Sequence, residues 1–153
     1  MRVRRSEPGD AAFLPEMARL ACGLEERPLP SSDAPDVLAL LPASSDIALI
    51  ATDDSGELLG AAWWHMHDPP LLSDADGSPL PELAMAVKDG ARGQGVGTAL
   101  VEALASEAAH RFQALTLNVH LANRAVHLYM RTGFRVVEKG RGWFGVAMSR
   151  SLD

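Results

Sequence analysis

The chain has a single cysteine, a single tyrosine and no apolar run near the roughly 20 residues of a membrane span. Cys22 alone cannot close an internal disulfide. No group of Cys and His residues stands at metal-ligand spacing, so neither a disulfide framework nor a metal centre is expected. Lys and Arg number 14 against 20 Asp and Glu, and no basic stripe is interleaved with aromatics, so a nucleic-acid partner is not expected. No Ser or Cys stands with a base in a nucleophilic arrangement, so no covalent enzyme intermediate is expected. The segment Met1 to Glu7 is basic, but no apolar stretch follows it. A secretory leader and a membrane partner are therefore not expected, and a cytoplasmic location is the default.

What is present is a globular balance. Apolar residues make up 47% and charged residues 22% of 153, enough for one domain with its own core. The net charge of −6 is unevenly divided. Residues 1–90 hold 16 acidic and 6 basic side chains and residues 91–153 hold 4 and 8, so a half at −10 precedes a half at +4. The basic half suits an anionic ligand and the acidic half a cationic one.

Val3–Ser6 predicts a first strand, and Pro8-Gly9-Asp10 a turn with Asp10 placed to cap a helix. That helix spans about Ala11 to Gly23, with Phe13, Met17, Leu20, Ala21 and Leu24 on one face. Arg27–Ser32 breaks the chain, and a weaker helix covers Ala34 to Leu41. Ile47–Ala51 and Leu58–His67 read as a hairpin across Asp53–Glu57. Trp63 and Trp64 point to opposite faces of it, one toward the core and the other toward a cleft. The loop Asp68–Pro81 is long for a compact domain and reads as disordered or functional; its Asp74–Gly77 lacks the later Glu of a calcium loop.

Then comes the strand Leu83–Val87, a Gly-rich turn, and a helix from about Gly95 striped by Leu100, Val101, Leu104, Ala105 and Ala108. Leu115–Val119 is a strand, Asn123 caps a helix to about Thr132, and Gly133 ends it. Arg135–Glu138 and Phe144–Met148 close as a hairpin. The result is a mixed α/β (α+β) single domain, with a mostly antiparallel sheet of about seven strands flanked by helices.

Gly93, Gly95 and Gly97 open the third helix, whose first amides lack helical partners and favour an anion. The P-loop is excluded, because Val96 and Gly97 follow where it needs Lys and Ser or Thr. The dinucleotide fingerprint needs Gly or Ala where Thr98 stands. Arg92-Gly93-Gln94-Gly95-Val96-Gly97 instead resembles the acyl-CoA pyrophosphate loop of the GNAT superfamily of N-acetyltransferases. The run Asn118-Val119-His120, Asn123 to Tyr129 and Gly133-Phe134 resembles that family's second cofactor motif, and Val3 to Gly23 its first strand and helix.

The resemblance implies a GNAT-like fold, acetyl-CoA as co-substrate and an amine acceptor, either a cationic small molecule or a protein amine. It also implies direct attack on the thioester in a ternary complex, and many relatives form homodimers. It assigns the pyrophosphate to the amides of Gly93, Gln94, Gly95, Val96, Gly97 and Thr98, and main-chain pairing with the pantetheine arm to Met85, Ala86 and Val87. Arg92 either contacts phosphate or braces the loop. Asn118 and Asn123 are cofactor-side candidates, with backbone pairing and helix capping as their alternatives. The position of Tyr129 is the family's general acid for the departing thiolate, and a phenol near pKa about 10 suits that task. Glu82, His65 and His67 flank the meeting point of acceptor and thioester and are the candidate bases, beside a water-mediated route. His110, His120 and His127 read as surface or capping groups, and Trp143 as a candidate for the acceptor cleft. The competing class is a non-catalytic acyl-CoA-binding sensor or interaction module.

Overall fold

The computed structural model describes residues 1–23 and 27–152. Seven strands and four helices follow the expected order: β1 (Arg2–Arg5), α1 (Phe13–Cys22), α2 (Pro35–Leu40), β2 (Ala48–Thr52), β3 (Leu58–His65), β4 (Glu82–Val87), α3 (Val96–Ala108), β5 (Ala114–His120), α4 (Ala125–Arg131), β6 (Arg135–Lys139) and β7 (Gly145–Ser151). They form one sheet in the order β1-β2-β3-β4-β5-β7-β6. Every neighbouring pair is antiparallel except β4 and β5. The reason is the connection. β4 reaches β5 through the α3 crossover, which returns the chain in the same direction.

Strand alternation sorts the side chains into two cores. Ala62, Trp64, Leu83 and Met85 pack under α3 with Leu100, Val101 and Leu104. Ala61, Trp63, Ala84 and Ala86 face α1 and α2, against Met17, Ala18 and Val37. The small residues on this second face let α1 lie close to β4. Both tryptophans are fully buried, so neither lines a cleft. Trp63 donates its indole N–H to the Leu40 carbonyl at 2.7 Å, and Trp64 stacks edge-on against Phe112. The expected alternation therefore holds, but each ring has a core to fill.

One local expectation is corrected. Asp10 does not cap α1. It closes a short 3-10 turn over Pro8–Asp10, accepting the Glu7 N–H at 2.7 Å, and its carboxylate is taken by Arg4 at 2.7 and 3.2 Å. The aspartate had a cation within reach, and a charge-assisted pair outcompetes a lone cap. The Asp68–Pro81 loop is pinned by a Ser73–Pro79 bridge, and the Asp74 carboxylate accepts the N–H groups of Asp76 and Ser78. Leu24, expected on the α1 stripe, lies outside the described residues.

The feature that makes a site is the meeting of β4 and β5. They share one registered pair, Glu82 with Thr116. Thr116 donates both its N–H (3.0 Å) and its hydroxyl (2.8 Å) to the Pro81 carbonyl. Beyond that anchor the strands diverge, and no register pair joins residues 84–87 of β4 to β5.

The Arg4 hydrogen bond holds the Asp10 carboxyl below its ordinary range, with burial opposing. The pair therefore contributes stability above the ordinary carboxylate pKa, and that stability is lost as pH falls through the folded-state value. Asp10→Asn should cost about 2 kcal/mol at pH 7. The deficit against wild type should shrink once pH drops below about 3.9, as read from urea unfolding midpoints.

Candidate active site

The gap between β4 and β5 opens into two adjoining cavities. One, about 540 Å3, lies between the Gly-rich turn and α4. The other, about 410 Å3, lies toward α1 and the β6–β7 loop. Ala21, Met85 and Asn123 border both, so a ligand threaded along β4 would pass from one to the other.

The first cavity is built by backbone. Gly93 and Gly95 sit at φ +75° and +83°, where a Cβ is strained. This left-handed pair turns the chain into α3. The first helical bond of α3 runs from the Ala99 N–H to the Gly95 carbonyl at 3.1 Å, so the N–H groups of Val96, Gly97 and Thr98 have no helical acceptor. A Cβ on Gly97 would meet Leu128 Cδ2, the end of a side chain on α4, at 2.8 Å. Arg92 pairs with Asp89 at 3.2 Å, the bracing alternative, while bordering the cavity. The Gln94 carboxamide donates to the Gly90 carbonyl at 3.4 Å and does not border the cavity. Met85, Ala86 and Val87 form its floor.

Asn123 serves α4, accepting the Ala125 N–H on its side chain at 2.9 Å and the Val126 N–H on its carbonyl at 3.1 Å. It caps from one position further out than expected, since Arg124 is the first residue turned into the helix. Arg124, His127 and Arg131 line the same cavity wall, which the motif reading passes over. The signal for them was the positive balance of residues 91–153.

The second cavity is built by side chains from distant strands. His65 and Glu82 are direct register partners on β3 and β4, and His67 lies two residues beyond His65 on the same side. The two imidazole rings are 4.7 Å apart. His65 Nδ1 and His67 Nε2 are buried without a hydrogen-bond partner. Glu82 is 2% exposed and is gripped by Arg141 through two bonds of 2.6 and 2.9 Å. Arg141 is a further residue that the sequence does not announce; it lies in the segment between β6 and β7. Its backbone N–H donates to Asn118 Oδ1 at 2.8 Å, so Asn118 holds the β6–β7 loop and borders this cavity rather than the first. The only hint was that an acid at the head of a central strand needs a counter-charge.

Burial pushes the His65 imidazole down to about 4, with His67 and Arg141 adding to the effect and Glu82 opposing it. Tyr129 closes the cavity from the α4 side, buried against Phe134, with ring centroids 5.8 Å apart. Its burial pushes the phenol well above its ordinary value, so it is a neutral hydroxyl at any physiological pH. Cys22 also borders this cavity, and burial raises its thiol to about 11, which leaves it un-ionised. Trp143 stands at the mouth, 93% exposed.

His65 also makes stability pH-dependent. The unfolded chain takes a proton on this imidazole below about 6.5, whereas the folded chain resists until about 4. The unfolded state thus binds more protons between those values, and folding weakens as pH falls through them, by about 3 kcal/mol at the full extent. His65→Gln should flatten that slope, as measured by denaturant midpoints at pH 7 and pH 4.5.

Comparison with known proteins places this geometry. A family model described as an acetyltransferase (GNAT) domain matches residues 44–136. A mycothiol acetyltransferase of Propionibacterium freudenreichii subsp. shermanii is 34% identical over 108 residues, which is 69% of this chain and 33% of that protein. The chain therefore spans about a third of that relative's length. Among solved structures, smu.2055 of Streptococcus mutans superposes with a TM-score of 0.72 at 20% identity, covering 100% of both chains. A GCN5-related N-acetyltransferase from Kribbella flavida gives 0.67 at 25% identity, covering 98% of this chain and 96% of its own. The yncA protein of Salmonella typhimurium, solved with its cofactor acetyl-CoA, gives 0.70 at 20% identity over 100% and 94%. With the family model matching more than half of its residues, the chain belongs to the GNAT acetyltransferase domain family.

Proposed function

We propose that this protein transfers an acetyl group from acetyl-CoA to a primary amine by direct attack in a ternary complex. The observation that carries the reading is the joining of the two cavities at the parted β4–β5 pair. The backbone-built cavity suits the phosphates, with unpaired helical N–H groups of α3 on one wall and the basic side of α4 on the other. The exposed edge of β4 suits the amide-bearing pantetheine arm, which pairs as an added strand. The thioester then lies beside Met85, between Tyr129 and the His65–His67–Glu82 group. The acetyl-CoA found with the Salmonella relative supports this choice of donor.

The residues divide the chemistry by their surroundings. An acceptor that arrives as an ammonium must first give one proton to solvent, since only the neutral amine has a lone pair to attack the carbonyl carbon. Glu82 is committed to Arg141, and His65 holds a proton too weakly, so His67 is the base. As the C–N bond forms and the C–S bond breaks, His67 takes the second proton from that nitrogen. Tyr129, kept neutral by burial, donates a hydrogen bond to the departing thiolate. The acceptor is an amine that is cationic in solution. It enters past Asp36 and Trp143 at the rim, where the carboxylate attracts the ammonium and the indole face can lie over it.

Two measurements test this. Acetyl-CoA at a hundredfold excess over its Kd should raise the unfolding free energy by about 2.7 kcal/mol. A panel of primary amines should release free thiol from it. Tyr129→Phe and His67→Gln should each lower kcat by about 100-fold while keeping the acetyl-CoA stabilisation. Stabilisation without thiol release from any amine would leave a cofactor-binding module in place of an enzyme. Full turnover in Tyr129→Phe with chemistry limiting would remove its acid role.

A further inference from the structure

The His65–His67–Glu82 group has a property that acetyl transfer does not require. One nitrogen of each imidazole and one carboxylate oxygen lie within 4.8 Å of one another. In the same two rings, His65 Nδ1 and His67 Nε2 are buried and lack a hydrogen-bond partner. Such orphaned atoms are costly in an interior, where nearly every buried polar group is paired. His65 is 3% exposed and Glu82 2%, so two of the three are held in place by the sheet. We propose that His65, His67 and Glu82 form a binding site for a divalent transition-metal ion of the zinc type.

The donor set fits that ion. Two histidines and one carboxylate, with an open fourth position, is an established zinc ligand combination, with bonds of about 2.0–2.2 Å. Ligand atoms around such an ion stand about 3.3 Å apart, so the three must close by on the order of 1 Å. His67, just past the end of β3 and half-buried, supplies most of that movement. Neighbouring Glu82 keeps capacity for an ion. A carboxylate has about four lone-pair positions, and Arg141 uses one on each oxygen. The cavity supplies the open side, where a water completes the coordination. A sequence scan for Cys and His at ligand spacing does not find this set, because the third ligand comes from the neighbouring strand. Magnesium and calcium are disfavoured, since they prefer oxygen ligands.

Arg141 makes the site conditional. Its guanidinium shares Glu82 with the ion and repels it, so the site is weakened while the ion pair stands. Metal binding itself is independent of the proposed reaction. Its effect on turnover rests on His67 being the base: an ion on His67 removes the lone pair that accepts the amine's proton, so zinc inhibits.

The experiment is calorimetric titration of the purified chain, free of any histidine tag, with Zn2+ and separately with Mg2+. One Zn2+ per chain and no Mg2+ binding are expected. His67→Ala should weaken Zn2+ at least 50-fold and Arg141→Met should tighten it about tenfold, while exposed His110→Ala leaves it unchanged. Circular dichroism should confirm that each variant is folded. No Zn2+ binding, binding that survives His67→Ala, or binding lost in His110→Ala overturns the site. Weaker binding in folded Arg141→Met overturns the competition. If Zn2+ occupies the site but leaves thiol release intact, the role of His67 as base fails while the metal site stands.

Discussion

Glu82 and Thr116 are the one place where β4 and β5 meet, and the site depends on that contact being a single pair. Thr116 fixes it by giving two hydrogen bonds to one carbonyl, that of Pro81. With that point pinned, the two strands can separate without losing the sheet, because β3 still supports β4 along six residue pairs and β7 supports β5 along seven. The parting is therefore structurally cheap. Past the Glu82–Thr116 pair the β5 side of β4 faces the gap, and a ligand with amides of its own can pair with that edge. Sheet continuity elsewhere is what makes the opening possible here.

The Glu82–Arg141 pair is the second constraint. Removing two charges from water is expensive, and a buried pair is not by itself a source of net stability. Its value here is positional. Arg141 ties the head of β4 to the β6–β7 loop, and through its third contact, at 3.4 Å, to the Pro69 carbonyl. Asn118 holds the same loop from β5. Three segments distant in sequence are thereby fixed around one cavity, with both oxygens of Glu82 turned to Arg141.

The order and type of all the elements could be read from periodicity, because each helix stripe and strand alternation is a local signal. The glycine turn could be read for the same reason: Gly93 and Gly95 announce positive φ wherever they fall. Ends were less legible. Asp10 looks like a helix cap until Arg4 is seen across from it, and Asn123 caps α4 from one residue further out than spacing implies. The side chains on the α4 wall of the first cavity, Arg124 and Arg131, showed only as bulk charge. Arg141 did not show at all, since its partner is 59 residues away and no pattern in one sequence records such a pairing. Histidines 65 and 67 were visible as a pair on one strand face, but their lack of partners is a property of packing.

The loop that carries Arg141 also carries Trp143, two residues on and almost wholly in solvent. One short segment between β6 and β7 thus sets both the counter-charge of Glu82 and the aromatic surface at the cavity mouth. Divergence in that loop alters what the site admits and how its interior is charged in the same step. For descendants of this chain, the shape of the cavity mouth is not a free variable: it is inherited together with the charge of the interior.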